Sequence, residues 1–184
     1  MNTDYSPDPL EQLGAWLDTE LVALATAARD GAPSVRMVLL KGADERGLAF
    51  FTSYESRKGR ELAENPRAAM LFHMPGRQIR VDGRVERIAP DESDAYWSTR
   101  PRGSQIAASV SSQSRPLASR EALEAAFAEF DSAHPNEIPR PSHWGGYRLV
   151  PDTYEFWEHR ENRLHDRIRY RRDGKSWTVE RLQP

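Results

Sequence analysis

The sequence predicts a mainly β protein, an antiparallel barrel with peripheral helices, on three observations. Short apolar or alternating runs bounded by turn residues occur in both the first and the last third of the chain. Helix-like stretches are grouped between them and do not alternate with single strands as a βαβ fold requires. Neither GxGxxG nor GxxxxGKS/T occurs, which argues against a Rossmann or P-loop nucleotide site.

Residues 9–18 carry Leu10, Leu13, Ala15 and Leu17 among polar residues, the pattern of a short amphipathic helix lying on the body. Three apolar runs follow at 21–28, 34–41 and 48–52, separated by the turn-forming stretches 30–33 and 42–47, and read as a β-meander. Ser56 is placed to cap a helix over 57–65, which Pro66 ends because proline has no N–H and clashes with the preceding turn. Strands are expected at 68–73 and 78–88, and helices at 91–100 and 120–132. Pro135, Pro139 and Pro141 mark an ordered connector. The tail returns to strands at 147–150, 154–158, 165–171 and 177–182, with a hairpin turn at Arg172-Asp173-Gly174. With no repeat and no low-complexity linker, residues 1–184 read as one domain.

Hydrophobic residues make up 38% and charged residues 29%, so the core is modest and help from a partner chain is expected. A formal net charge of −2 argues against a nucleic-acid surface, and any anion must be met by a local cluster of cations. The absence of cysteine removes disulfides, iron–sulfur clusters, thiolate zinc and a thiol nucleophile together. Met1 opens a polar segment without an apolar h-region, and no run approaches a membrane span, so a soluble, cytoplasmic protein is expected. His73, His134, His143 and His159 show no metal-ligand spacing, so no metal site is expected.

Four constellations could carry chemistry. Arg57 and Lys58 after Ser56 put two cations in the first turn of a helix, against the positive end of its dipole. A phosphate removes that conflict; the alternative is a plain serine cap with solvated cations. In the second apolar run Arg36 precedes Met37, Val38, Leu39 and Leu40, and Lys41 ends it. Strand alternation puts Arg36 and Lys41 on opposite faces, where they could flank an extended ligand or simply terminate a strand. Tyr96, Arg100 and Ser104 are spaced by four, with Pro101 breaking the helix before the last; an arginine with two hydroxyls suits a phosphate or a solvated face. Arg163, His165 and Arg167 share strand parity, so they crowd one face around an anion or lie on a solvated edge. Gln78, Gln113, Ser114 and Trp157 add hydrogen-bonding and aromatic groups of the kind that line a flat heteroaromatic ligand.

Taken in this order, the segments resemble the pyridoxamine 5′-phosphate oxidase family over nearly the whole chain. Arg36, Met37, Val38, Leu39, Leu40 and Lys41 look like its first flavin-binding strand, and Phe51, Thr52, Arg57 and Lys58 like its phosphate-binding turn. Gln78, Gln113, Ser114, Trp157 and Arg167 match its remaining flavin contacts. Tyr96, Arg100 and Ser104 match the positions that hold the substrate phosphate. Lys41, Arg163 and His165 match those around the substrate ring, with Arg163 and His165 as the catalytic candidates.

The resemblance implies an FMN-binding split β-barrel, antiparallel and Greek-key-like, working as a homodimer with each flavin site built from both subunits. It implies oxidation of pyridoxamine or pyridoxine 5′-phosphate to pyridoxal 5′-phosphate, with dioxygen as acceptor and hydrogen peroxide as product. There are departures from the family pattern. Only a short segment precedes the first helix, where the family can carry a covering arm; the connection from Leu17 to Leu21 is short; and Phe51 stands where tyrosine is frequent. Two alternatives stay open: a phenazine-biosynthesis-type FMN oxidase of the same fold, and a non-catalytic protein that carries flavin or pyridoxal phosphate.

Overall fold

The structure, a computed structural model, describes residues 5–184, so the polar start at Met1 and the first residues of the expected domain lie outside the described residues. Helix α1 (Pro9–Trp16) is capped by Asp8, whose carboxylate accepts the Leu10 N–H, and has proline at its first position, where no N–H is missed. Strands β1 (Leu21–Ala27) and β2 (Pro33–Leu39) pair as a hairpin, and β3 (Gly42–Asp44) and β4 (Gly47–Ser53) as a second. Next come α2 (Arg57–Glu64), β5 (Arg67–Met74) and β6 (Arg77–Arg87), followed by α3 (Pro90–Ser98), α4 (Arg102–Val110) and α5 (Arg120–Ala133). The chain closes with β7 (Trp144–Glu158), a 3-10 turn at Glu161–Arg163, β8 (Asp166–Asp173) and β9 (Ser176–Arg181).

All pairings are antiparallel, in the order β2-β1-β5-β6-β7-β4-β3, with β8 on β7 and β9 on β8. β7 is the hinge of the curl: its first part pairs with β4, its last with β8, and β6 runs along both. The inner face buries Val22, Leu24, Phe50, Phe72, Ile79 and Phe156 completely, a core drawn from β1, β4, β5, β6 and β7. A second, smaller cluster of Trp97, Ile106, Ile138 and Trp144 packs α3 and α4 against the start of β7 and shapes the space beside it.

Four expectations are corrected. The first three runs do not form a meander, since β4 leaves β2 and pairs with β7; β4 is buried on both faces and so needs cover that a hairpin edge lacks. The expected turn at 42–47 contains β3, because Gly42 and Ala43 pair back onto Ala49 and Leu48. The two strands expected at 147–150 and 154–158 are one: the register slips so that Asp82 faces Thr153 and Gly83 faces Pro151, leaving Asp152 as a bulge beside the proline. Helix α4 was not anticipated, since Gly103, Ser104, Ser109 and Val110 are weak helix formers.

The β3–β4 turn depends on a residue without a side chain. Gly47 has φ +132°, and a Cβ there would lie 2.2 Å from the Leu149 carbonyl oxygen. Gly47→Ala is expected to cost about 2 kcal/mol, a fall of roughly 4–8 °C in melting temperature for a chain of this size. An unchanged thermal transition would show that the turn yields without strain.

Candidate active site

A cavity of about 680 Å³ opens beside the sheet, within the range of ordinary ligand sites. β2 and the residues after it contribute Met37, Val38, Leu39 and Lys41; β4 contributes Phe51 and Thr52; α2 contributes Lys58. Tyr96, Arg100 and Ser104 also line it, although α3 ends at Ser98. They converge because the chain turns at once into α4, with the Arg100 N–H donating to the Trp97 carbonyl and the Ser104 N–H to that of Pro101. Gln113, after α4, completes this part of the lining.

The α2 end of the cavity is built from the sequence Ser53 to Lys58. Ser56 caps the helix: its Oγ accepts the Gly59 N–H at 3.2 Å and donates to the Ser53 carbonyl at 2.7 Å. The Arg57 and Lys58 N–H groups, at the first two positions of the helix, have no intrahelical carbonyl to donate to. Lys58 is buried, and its Nζ donates to Thr52 Oγ1 at 3.0 Å and to Gln113 Oε1 at 3.3 Å. Burial, with Arg36 adding to it against the pull of Glu61, pushes the Lys58 ammonium down to about 8. A cation held so far from water among neutral oxygens is suited to an anion.

At Arg100 the guanidinium lies over two indoles, 5.1 Å from the Trp97 ring centroid and 4.5 Å from that of Trp144. Its NH1 is buried without a hydrogen-bond partner among the described residues, and burial lowers its pKa. Such orphaned donors are rare in folded proteins, and an anionic acceptor in the cavity would satisfy this one. Phe51 stacks on Tyr96 with centroids 4.0 Å apart, and Trp144 continues the stack 5.7 Å from Phe51, giving the cavity a flat aromatic wall.

Other predicted residues lie elsewhere. Leu40 belongs to the core. Arg36 and Arg57 reach Glu61 rather than the cavity, at 3.2 Å and 2.8 Å. Ser114 is exposed, with φ +71°, and does not line the cavity. Gln78, Trp157 and Arg167 form a row across the sheet: Gln78 faces Trp157 between β6 and β7, and Trp157 faces Arg167 between β7 and β8. His165 packs on Trp157, ring centroids 4.6 Å apart. Its Nδ1 accepts the Arg160 N–H at 3.2 Å, so the proton of the neutral imidazole sits on Nε2. Arg163 is not on a strand: it and Asn162 have φ +62° and +55° inside the 3-10 turn, so the expected shared face of Arg163, His165 and Arg167 does not form.

This row and the cavity rim share one face of the sheet. Register carries it from Met37 through Ala23, Leu71, Arg80 and Glu155 to Arg169. The β2 side is apolar and exposed, at Val35, Met37, Leu39, Leu21 and Leu71. The β6–β8 side carries ion pairs, Glu155 taking Arg80 and Arg167, each at 2.8 Å.

Several site residues escaped the sequence reading. Trp144 under Arg100, Glu61, and the wall from Ala107, Ser111 and Phe127 are among them. Only Glu61 left a signal, its spacing of four from Arg57 on a helix. Among the described residues no group of three His, Asp or Glu could hold a metal ion, and no helix is long and apolar enough to cross a membrane.

A curled antiparallel sheet, left open beside a cationic and aromatic cavity, defines a protein of the split-barrel class. The family model described as pyridoxamine 5′-phosphate oxidase matches residues 10–133, and that described as pyridoxine 5′-phosphate oxidase C-terminal dimerisation region matches 144–184. The chain belongs to the pyridoxamine 5′-phosphate oxidase family. It is 52% identical to a pyridoxine/pyridoxamine 5′-phosphate oxidase from Cupriavidus necator, covering 99% of this chain and 92% of that one. It is 51% identical to one from Rubrobacter xylanophilus, covering 97% and 88%. Among solved structures, PhzG from Burkholderia lata 383, in complex with tetrahydrophenazine-1-carboxylic acid, superposes with TM-score 0.92 at 38% identity, over 98% of this chain and 95% of that one. A pyridoxamine 5′-phosphate oxidase-related, FMN binding protein from Nostoc punctiforme PCC 73102 shares the fold, with TM-score 0.75 at 20% identity over 95% and 93%.

Proposed function

We propose that the chain is an FMN-dependent oxidase converting pyridoxamine or pyridoxine 5′-phosphate to pyridoxal 5′-phosphate, with dioxygen as acceptor and hydrogen peroxide as product. The observation that carries this reading is a buried ammonium, Lys58, and a half-buried guanidinium, Arg100, lining one cavity, neither of them in an ion pair among the described residues. A cofactor and a substrate that each bear a phosphate would supply an anion to both. The residues fit FMN: Lys58, Thr52 and the first turn of α2 would hold its phosphate, with Arg57 and Arg36 close behind, and Met37, Val38 and Leu39 would meet its ring.

When bound, FMN supplies a two-electron acceptor for the hydride leaving the 4′ carbon and a route for those electrons to dioxygen. The protein's share is placement. Arg100, Tyr96 and Ser104 hold the substrate phosphate, and Lys41 flanks the ring. Arg163 and His165 act at the ring from the other sheet edge, His165 offering its Nε2 proton.

Because Gln78, Trp157, Arg167, Arg163 and His165 do not line this chain's own cavity, the reading includes a homodimer. The apolar patch at Val35, Met37 and Leu39 adjoins the cavity and would be covered by a second copy, whose own Gln78–Trp157–Arg167 row completes the site. The match of residues 144–184 to a dimerisation region supports this, since most of that row falls within it. Tyr96, Arg100 and Ser104 favour a phosphorylated substrate over an unphosphorylated tricycle.

The test is spectroscopic. The purified protein is expected to be yellow, to lose its flavin absorbance when pyridoxine 5′-phosphate is added without oxygen, and to recover it in air with release of peroxide. Retained flavin that neither vitamer bleaches would leave the non-catalytic carrier as the better reading.

A further inference from the structure

We propose that Glu61 is the positioning residue of the flavin-phosphate seat: it gathers Arg36 from β2 and Arg57 from α2 on its two carboxylate oxygens and sets their charge against Lys58. The inference rests on the reading that FMN phosphate binds at the start of α2.

Glu61 is buried on the inner side of α2, facing the β1–β2 hairpin. Arg57 Nε donates to Oε1 at 2.8 Å, and Arg36 donates through NH2 to Oε2 at 3.2 Å. The carboxylate does not depend on these arginines for its place. Ser34 Oγ donates to Oε2 at 2.6 Å, and the Thr26 hydroxyl donates to the same oxygen. Arg36 is further fixed by the Leu24 carbonyl at 3.2 Å and Thr26 Oγ1 at 2.6 Å. One acid thus ties β1, β2 and α2 together and fixes where two guanidiniums stand behind the seat.

Its charge is as well secured as its place. Burial works against ionisation, but the hydrogen bonds from Ser34, Thr26 and Arg57, with the Arg36 charge, hold the carboxyl down to about 2. Glu61 is therefore an anion throughout the working range. Three cations against one anion leave an excess matching a phosphate near its dianionic form.

Lys58 makes the arrangement testable. Burial and Arg36 lower it and Glu61 raises it, so the Glu61 charge favours the protonated ammonium. The other charged groups around the same cavity are Lys41, Arg100 and Glu124. The charged form of Lys58 is present below about pH 8 and lost above it, so wild-type FMN affinity should fall on that alkaline limb. Without the Glu61 charge the ammonium loses its proton earlier, and the fall should begin at lower pH.

The experiment measures FMN affinity, by quenching of flavin fluorescence on protein stripped of flavin, from neutral to alkaline pH. Glu61→Gln is expected to weaken binding by about tenfold or more at neutral pH, for the loss of charge-assisted contacts, and to move the alkaline fall downward. Lys58→Arg, whose side chain does not titrate in this range, is expected to flatten the fall. Wild-type affinity and profile in Glu61→Gln would overturn the proposal, as would weaker binding with an unmoved profile, which marks packing alone. If Glu61→Gln does not fold, Ser34→Ala loosens the carboxylate without removing its charge; weaker FMN binding is then expected, and unchanged binding overturns the proposal. Lys58→Ala separates the two levels. If it leaves FMN affinity unchanged, the phosphate seat itself is wrong; if it weakens FMN while Glu61→Gln does not, only the role of Glu61 fails.

Discussion

Replacing Arg57 and Lys58 together by alanine is expected to weaken FMN binding by about two to four decades, since each charge-assisted phosphate hydrogen bond contributes roughly 1.5–3 kcal/mol. The two residues should not share the loss equally. Lys58 already lies in the cavity, donating to Thr52, Gln113 and the capping Ser56, whereas Arg57 is exposed and engaged by Glu61. Lys58→Ala alone should therefore take the larger part. The same change should act oppositely on the flavin-free protein. An ammonium pushed down to about 8 by burial is held at a cost on the order of a few kcal/mol, so its removal should raise the melting temperature of the stripped chain. Equilibrium titration with FMN and thermal unfolding without it check the two signs separately. A double variant that binds FMN as tightly as wild type would place the flavin phosphate elsewhere.

How far the sequence predicted these features depends on how local their causes are. The amphipathic pattern of α1, the Ser56 cap of α2 and the runs that became β1 and β2 were legible because each is decided within a few residues. The partner of β4 was not: Phe50 meets Tyr147 and Leu48 meets Leu149, pairings set by which edge of a distant strand is free. The face shared by Arg163, His165 and Arg167 assumed an extended backbone, and the left-handed Asn162 and Arg163 remove it. Tyr96, Arg100 and Ser104 converged despite Pro101, because the break redirects the chain into α4. For Arg36 the sequence showed a cation in an apolar strand but not its partner, which comes from a helix that begins after another hairpin. Residue type was readable throughout; the assembly of types from separate elements was not.

Arg100→Leu is expected to raise the KM for phosphorylated substrates by on the order of 10- to 200-fold, the loss of one charged contact of roughly 1.5–3 kcal/mol, with a smaller effect on kcat. The geometry makes this residue separable from flavin binding. Its guanidinium lies against Trp97 and Trp144, while the proposed flavin-phosphate seat is formed by Thr52, Lys58 and the start of α2. Flavin content should accordingly stay near normal. Stability should also hold, because leucine keeps apolar contact with the indoles while removing a buried nitrogen that has no partner among the described residues. The decisive comparison is between phosphorylated and unphosphorylated pyridoxine. Wild type should strongly prefer the phosphate ester, and Arg100→Leu should narrow the gap by losing rate on the ester rather than gaining it on the alcohol. Equal oxidation of both by wild type, or preference for a tricyclic acid of the kind bound by the Burkholderia lata protein, would remove the phosphate assignment of Tyr96, Arg100 and Ser104. The buried nitrogen of Arg100 would then be serving a carboxylate, and the cavity would belong to a phenazine-type oxidase.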